Sequence, residues 1–304
     1  MQGLQTRMLE ISDRAYSSVS NAILISGSAR SGTTIMGKVI HSFDGIEYTY
    51  EPPLLFSLFP LINQLAEQDW RLLYETYLYE EFMLNSLAGR AINCNRKDDS
   101  SIYNVKSESE VASRLQSTLS KNEAEILAKN RTIAYKMPDI TPYIPKLMNY
   151  YPGMRVIIMM RDAVGTLNSI LKKKWFNELN VRNSLIWPFR VYKQVRIPFW
   201  VREEEEELWM NLSELDRAAY YYIRINESTN GIIGHIKVRY TRLVNRPKDI
   251  TNELAEKLNL KFGTETEKIF QEIKPTAPER DTKIMERIHS NFREKVAYYS
   301  SLSE

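Results

Sequence analysis

Short apolar runs alternate with stretches of helical periodicity along most of the chain. Five runs of apolar and β-branched residues predict buried strands at 22–26, 46–50, 132–135, 155–160 and 235–240. Helical spacing of apolar positions predicts helices at 33–43, 69–87, 108–129, 163–174, 204–226, 248–258 and 279–299. Because strands that alternate with helices pair in parallel, we predict an α/β fold with a central parallel sheet flanked by helices.

The sequence shows no internal repeat and no low-complexity linker. We therefore expect one domain over residues 1–304, with its core at about 21–262 and a C-terminal segment at 263–304. Two insertions interrupt the alternation, a helical one at about 54–90 and a second at about 175–202. The second interleaves aromatic residues, such as Trp175 and Trp187, with cations such as Arg182, and it carries two prolines. We predict an irregular excursion there.

Composition narrows the class of partner. The 41 basic and 38 acidic residues give a formal net charge of +3, so no global field favours nucleic acid, and we expect no nucleic-acid partner. Cys94 is the only cysteine, and three scattered histidines give no metal-ligand spacing, so we expect no metal. The longest apolar stretch, 54–62, is too short to span a bilayer, and we expect a soluble cytoplasmic protein.

The segment ISGSARSGTT, residues 25–34, joins the first predicted strand to the first predicted helix. Gly27 and Gly32 have the spacing of a Walker A loop, but Thr33 stands at the lysine position and Arg30 lies inside the loop. Backbone N–H groups, the positive helix end and the hydroxyls of Ser31, Thr33 and Thr34 can all face one anion. This pattern predicts a phosphate site; the alternative is a turn with ordinary Ser and Thr caps.

Residues 30–34, read as RSGTT, resemble the 5′-phosphosulfate loop of sulfotransferases that use 3′-phosphoadenosine 5′-phosphosulfate (PAPS). A second match supports the resemblance. The apolar run 156–160, followed by Arg161 and by Ser169 on the next helix, is similar to the 3′-phosphate site of that family, and Lys173 matches a third basic position in its tyrosylprotein branch. The resemblance implies a P-loop-like sulfotransferase fold with helical insertions.

A third match places a tyrosine beside the nucleotide. Residues 236–244, followed by Pro247, resemble the family's V-x-Y-E-D-L segment, which implies that Tyr240 stacks near the adenine. Thr241 and Arg242 stand where family members carry acids. The C-terminal segment at 274–283 corresponds to the loop that covers the nucleotide in the family, and Lys283 is our candidate there.

Two strand ends supply the candidate catalytic residues. Glu51 follows the second predicted strand, whose carboxyl end faces the phosphate loop, and the resemblance implies that it is the general base. Glu47 is a weaker competitor. Lys136 ends the third strand and corresponds to the family's lysine that, together with Arg30, neutralises charge in the transition state. His41 is expected to be a packed or surface residue rather than the base used by cytosolic sulfotransferases.

The resemblance implies sulfuryl transfer from PAPS to a hydroxyl, or to an amine, of a small-molecule or carbohydrate acceptor. The product 3′-phosphoadenosine 5′-phosphate (PAP) would remain, and no metal would be required. The two insertions are expected to shape the acceptor pocket or a lid; the alternative for the second is a packing or homodimer surface. Two other functions stay open, a P-loop small-molecule kinase or NTPase and a non-catalytic nucleotide-binding protein.

Overall fold

The computed structural model describes residues 9, 11–183, 188–274, 281 and 283–303, and side chains at 182–183 are left out of the description. Trp187, the side chain of Arg182, and positions 275–280 and 282 of the C-terminal segment therefore lie outside the described residues. Within the described ranges, the chain forms seven strands: β1 Ile23–Gly27, β2 Ile46–Tyr50, β3 Thr132–Lys136, β4 Arg155–Met160, β5 Phe189–Tyr192, β6 Val195–Pro198 and β7 Ile236–Arg239.

Five strands form one parallel sheet in the order β2-β3-β1-β4-β7. They are the five strands that the apolar runs predict, with ends that shift by one residue at most. Central β1 is buried along its whole length, and Ile23 pairs with Ala134 on one side and Arg155 on the other. The α/β fold with a central parallel sheet is therefore confirmed.

Helices cover both faces of this sheet. Successive side chains of a strand point to opposite faces, and Leu24 accordingly packs in one hydrophobic cluster while Ile23 and Ile25 pack in the other. The α-helices are α1 Asp13–Ser20, α2 Thr33–Ser42, α3 Pro53–Leu58, α4 Glu67–Glu75, α5 Asn85–Leu87, α6 Glu108–Leu115, α7 Lys121–Ala128, α8 Ile144–Tyr150, α9 Ala163–Lys172, α10 Glu178–Asn183, α11 Glu206–Asn211, α12 Glu214–Ser228, α13 Tyr240–Asn245, α14 Pro247–Leu258, α15 Thr266–Glu272, α16 Ile284–Arg287 and α17 Ser290–Ser301.

Three long predicted helices are each broken in two. The one predicted at 279–299 is interrupted at Ile288 and His289, between α16 and α17. The prediction of one helix at 108–129 is wrong, because Ser120 caps a new helix there and exchanges hydrogen bonds with Glu123 in a capping box. The prediction at 204–226 fails for the same reason, since the Ser213 side chain accepts a hydrogen bond from the backbone N–H of Asp216. The predicted helix at 69–87 is continuous but contains a π-helical segment, Thr76–Leu84, between α4 and α5.

The second insertion is more regular than the sequence predicts. Within it, β5 and β6 pair antiparallel as a separate two-stranded sheet. Arg190 anchors this hairpin, because its Nε donates to the Glu206 carboxylate at 2.8 Å and its guanidinium also reaches the carbonyl oxygens of Phe199 and Val201. The excursion at 175–202 is thus partly ordered by its own arginines. Among the described residues, no helix combines the length and apolar character needed to cross a membrane.

Candidate active site

The carboxyl ends of all five parallel strands meet at one cleft. The loop after β1 contributes Arg30, the residue after β2 is Glu51, Lys136 ends β3, Arg161 follows β4, and Tyr240 follows β7. The cleft has a volume of about 1110 Å³, which is at the upper end for ligand sites in proteins. The described lining carries six basic residues against the carboxylates of Glu51 and Asp99; the basic residues are Arg30, Lys38, Lys136, Arg161, Lys172 and Lys173.

The predicted phosphate loop has the backbone that the sequence requires. Gly32 caps α2 with φ of 96°, and Arg30 has φ of 69°, a left-handed conformation that costs a non-glycine residue free energy. Thr33 and Thr34 line the cleft at the start of α2. Ser31 does not line it: its side chain is buried and donates to the carbonyl oxygen of Ser28 at 2.6 Å. This hydroxyl therefore braces the loop from inside.

The two halves of the predicted nucleotide site contact each other directly. Arg30 Nε donates to Ser169 Oγ at 2.9 Å, and Arg161 Nη1 donates to the carbonyl oxygen of Arg30 at 2.8 Å. The Arg30 guanidinium also lies 5.8 Å from the centre of the Trp175 ring. The loop after β1 and the residues after β4 are consequently parts of one cationic surface.

Tyr240 closes this surface from the β7 side. The Arg161 guanidinium lies 4.4 Å from the centre of the Tyr240 ring, within the range of a cation–π contact. The ring packs so closely on the loop that a Cβ atom on Gly32 would lie 2.5 Å from Tyr240 Cδ2. Lys173 lines the cleft, whereas Lys283 is exposed and is not part of the lining. The neighbouring Asp281 does reach its rim, since its carbonyl oxygen accepts from Asn168 at 3.4 Å.

The candidate base and the candidate lysine form an ion pair. Glu51 pairs with Lys136 Nζ, which also donates to Thr34 Oγ1 at 3.2 Å and lies 4.0 Å from the centre of the Tyr50 ring. The lysine side chain is 3% exposed and the glutamate 29%. Glu51 has φ of 45°, and its backbone N–H donates to the Lys136 carbonyl oxygen at 3.0 Å. The ion pair with Lys136 and the backbone hydrogen bond thus hold the Glu51 carboxylate at the cleft wall.

Glu47 and His41, the two other candidates for the base, lie outside the cleft. Both guanidinium nitrogens of Arg114 donate to the buried Glu47 carboxylate, at 2.7 and 2.9 Å, and Ser86 donates a third hydrogen bond at 2.7 Å. His41 is buried against Tyr48, and its pKa lies well below the usual value because of burial and of the charges of Lys106 and Arg114.

One part of the site has no counterpart in the sequence analysis. The backbone N–H of Ala29 donates to Tyr221 Oη at 2.5 Å and to Asp139 Oδ1 at 3.2 Å, and the Tyr221 hydroxyl donates to the same carboxylate oxygen. Asp139 has φ of 71°. Burial raises the pKa of Asp139 to about 6, and the negative charge of Glu51 adds to the shift. A half-buried acid therefore supports the phosphate loop from behind.

Within the described ranges, no group of three or more His, Cys, Asp or Glu side chains is placed to hold a metal ion.

Comparison with known proteins gives one family match. A family model described as "Sulfotransferase family" matches residues 22–264 of the chain. No curated protein sequence gives a match.

Solved structures resemble the chain at low identity. The sulfotransferase domain of the Synechococcus PCC 7002 olefin synthase is 11% identical over 92% of this chain and 93% of that one, with a TM-score of 0.48. The sulfotransferase domain from the curacin biosynthetic pathway is 13% identical over 93% and 96% of the two chains, also with a TM-score of 0.48. Retinol dehydratase, in complex with androsterone and inactive cofactor PAP, is 10% identical over 93% and 80%, with a TM-score of 0.33. Likenesses at this level give no information about substrates.

Proposed function

The chain belongs to the sulfotransferase family, and from this premise we propose that it transfers a sulfuryl group from PAPS to a hydroxyl of a small-molecule or carbohydrate acceptor. The observation that carries the proposal is the convergence of Arg30, Glu51, Lys136 and Arg161 on a single cleft. A carboxylate base and a nearly buried ammonium group lie at one wall, and arginines lie at the other.

The chemistry of the transfer matches these groups. The sulfur atom forms a bond to the acceptor oxygen while its bond to the phosphate oxygen breaks, and PAP leaves with that electron pair. Glu51 takes the proton of the acceptor hydroxyl, which is the role of a positioned general base. Lys136 and Arg30 face the charge that develops on the sulfuryl and bridging oxygens, where fixed cations are most effective.

Nucleotide binding is assigned to the cationic side of the cleft. Arg30, Thr33 and Thr34 would hold the 5′-phosphosulfate, with backbone N–H groups at the start of α2. Arg161, Ser169 and Lys173 would hold the 3′-phosphate, because a guanidinium and a hydroxyl suit phosphate oxygens. The described lining of the cleft has more basic than acidic side chains, which supports binding of an anion with several negative charges. Gly32 leaves room for Tyr240 to lie against the loop, and the proposal places the adenine beside this tyrosine.

Three further assignments belong to this proposal. Ser31 contributes its loop backbone rather than its hydroxyl, which is engaged with Ser28. Lys283 stays a prediction for the covering segment, supported by the contact between Asp281 and Asn168 at the rim. An amine acceptor requires the same base and the same cations as a hydroxyl acceptor. The geometry at Glu51 is therefore compatible with both.

Calorimetry and a transfer assay test the proposal against its rivals. We expect PAP to bind without magnesium and far more tightly than ATP; the opposite preference would favour a kinase or NTPase and overturn the proposal. With sulfur-labelled PAPS and a panel of hydroxylated acceptors, we expect label to move to the acceptor and PAP to accumulate. Tight PAP binding without transfer to any acceptor would indicate a non-catalytic nucleotide-binding protein.

A further inference from the structure

A second cavity lies beside the nucleotide cleft, next to β2 at the edge of the sheet. It has a volume of about 430 Å³. One wall is edge strand β2, and the other is the π-helical segment Thr76–Leu84 with the chain that follows it as far as Ile102. We call this cavity the side chamber. Its size is within the range of small-molecule sites.

A third, much smaller cavity, which we call the neck, shares lining residues with both the side chamber and the cleft. It has a volume of about 10 Å³ and shares Thr34, Lys38, Tyr50 and Asp99 with the cleft lining, and it shares His41, Tyr48, Tyr50 and Ser100 with the side chamber. The Lys38–Asp99 ion pair, at 3.1 Å, lies in the shared wall, and its carboxylate is 77% exposed. Exposed ion pairs are weak, so a ligand can displace this one.

The side chamber differs from the cleft in charge. Its described lining contains no lysine and no arginine, whereas six basic residues line the cleft. Glu81 and Asp98 are exposed in the side chamber, and Glu47, also in its wall, is neutralised by Arg114. An anionic group would find no lysine or arginine in this described lining. A neutral group or an ammonium group would meet carboxylates and hydroxyls instead.

His41 places hydrogen-bonding groups in the wall of the side chamber. It is 7% exposed, lines both the neck and the side chamber, and stacks on Tyr48 with ring centres 5.1 Å apart. Among the described residues its ring nitrogens have no hydrogen-bond partner in the protein. Burial lowers its pKa, so the imidazole is neutral at pH 7 and offers one N–H donor and one nitrogen acceptor.

Aromatic walls complete the pattern. Tyr48, Tyr50 and Tyr77 line the side chamber beside the polar groups. His41 stacks on Tyr48, and Lys136 Nζ lies 4.0 Å from the centre of the Tyr50 ring, so each of these two rings has one face already in contact. Aromatic faces with hydrogen-bonding groups around them suit a ring that is apolar on its faces and hydroxylated at its edge. A hydroxyl both donates and accepts, which matches a neutral imidazole.

We propose that the side chamber binds a sugar-like polyhydroxyl part of the acceptor, either neutral or carrying an ammonium group, and that it disfavours anionic acceptors. This inference rests on the proposed function, since it names the acceptor class for the base at Glu51. An acceptor that spans the neck would bring one of its hydroxyls to the cleft while its remainder stays in the side chamber.

Three sugar probes that differ in charge test whether the side chamber disfavours anionic acceptors. Methyl β-D-glucopyranoside, its 2-amino-2-deoxy analogue and methyl β-D-glucuronide share one ring and differ in charge. Their dissociation constants are measured by ligand-observed NMR with PAP present and with PAP absent. We expect the neutral and amino probes to bind at least about tenfold more tightly than the glucuronide. Equal binding of all three, or tighter binding of the glucuronide, overturns the inference.

Variants of residues in the side chamber test whether the probes bind there. His41→Phe keeps the ring stack but removes both nitrogens, and we expect about tenfold weaker binding of all probes with unchanged PAP affinity. Glu81 is exposed, so Glu81→Gln and Glu81→Lys should fold normally; the first should remove the preference for the amino probe, and the second should let the glucuronide bind. Glu256→Gln, at an exposed position of α14, is the matched control and should change nothing. If the Glu81 variants leave all three affinities unchanged, the side chamber is not the site.

The two proposals fail in different ways. Sulfuryl transfer to an acceptor that is not sugar-like, with no glycoside bound, would keep the proposed function and overturn this inference. Glycoside binding that follows the variants, without sulfuryl transfer, would keep the side chamber as a site and overturn the proposed function.

Discussion

Glu51 and Lys136, which lie at the carboxyl ends of two neighbouring parallel strands, form an ion pair at the wall of the cleft. The strands bring together residues that are 85 positions apart in the sequence (136 minus 51). The Lys136 ammonium is almost fully buried, and the Glu51 carboxylate is open enough to meet a ligand. An acceptor hydroxyl placed here would contact a base and a cation at once.

Replacement of Glu51 by glutamine should remove turnover and leave nucleotide binding intact. The amide keeps the size of the side chain but cannot take the acceptor proton, and loss of a general base costs about 10²–10⁴-fold in rate. The measurement is kcat for sulfuryl transfer, with PAP affinity by calorimetry. Glu256→Gln is the control. Retained turnover in Glu51→Gln would place the base elsewhere.

Replacement of Lys136 by methionine should lower kcat by about 100-fold or more, because one fixed cation facing the transition state is lost. The KM for PAPS should change much less. Lys129→Met, at an exposed position at the end of α7, serves as the control for the loss of a lysine. If Lys136→Met instead raises KM for PAPS and leaves kcat unchanged, Lys136 binds the ground state and does not act in the transfer.

Most of the cleft could be predicted because parallel strands are easy to recognise in this chain. Their apolar runs are separated by helical periodicity, and the carboxyl ends of parallel strands must meet at one edge. Arg30, Glu51, Lys136 and Arg161 each lie at or just after such a run. Their proximity therefore follows from topology, with no knowledge of side-chain contacts.

Other features depend on contacts that no local pattern encodes. Tyr221 and Asp139 are 82 residues apart and meet only because α12 packs behind the phosphate loop. The side chamber depends equally on how the first insertion folds against β2. By contrast, the helix breaks before Ser120 and Ser213 can be predicted from the sequence. Each serine is followed three positions later by an acidic residue, which is the spacing of a helix N-cap.

Replacement of Arg161 by alanine should weaken PAP binding by about 10–100-fold, because hydrogen bonds to a charged phosphate are lost. Binding of adenosine 5′-phosphate, which lacks the 3′-phosphate, should be nearly unchanged. Calorimetry with both nucleotides gives the comparison, and Arg242→Ala, whose arginine forms an exposed pair with Glu253, is the control. Equal losses for the two nucleotides would contradict a 3′-phosphate role.

Replacement of Gly32 by alanine should abolish tight PAP binding. The new Cβ would lie 2.5 Å from Tyr240 Cδ2, and φ of 96° is unfavourable for alanine, so the loop must shift. Gly234→Ala is the matched control, since Gly234 also has positive φ, 73°, but no atom lies within 4 Å of its added Cβ. Both variants should lose some thermal stability, and only Gly32→Ala should lose PAP affinity. Normal PAP binding by Gly32→Ala would show that the loop tolerates displacement.

Replacement of Asp139 by asparagine should change how stability depends on pH. The Asp139 pKa is raised from 3.8 to about 6 in the folded protein, mainly by burial. Between these values the folded protein binds a proton that the unfolded chain does not, so this carboxyl makes the free energy of unfolding fall as pH rises from about 4 to about 6. Asparagine can still accept the hydrogen bonds from Ala29 and Tyr221, but it does not ionise.

We therefore expect Asp139→Asn to be more stable than the wild type at pH 7, by up to about 3 kcal/mol, and to match it near pH 4. Denaturant titrations of both proteins from pH 4 to pH 7.5 measure the difference in their free energy of unfolding. The contributions of all other carboxylates cancel in this difference. PAP should also bind more tightly to the variant at pH 7, because a negative charge behind the phosphate loop is gone. A variant that is less stable at pH 7, with the wild-type pH dependence unchanged, would show that Asp139 is ionised without cost in the folded protein.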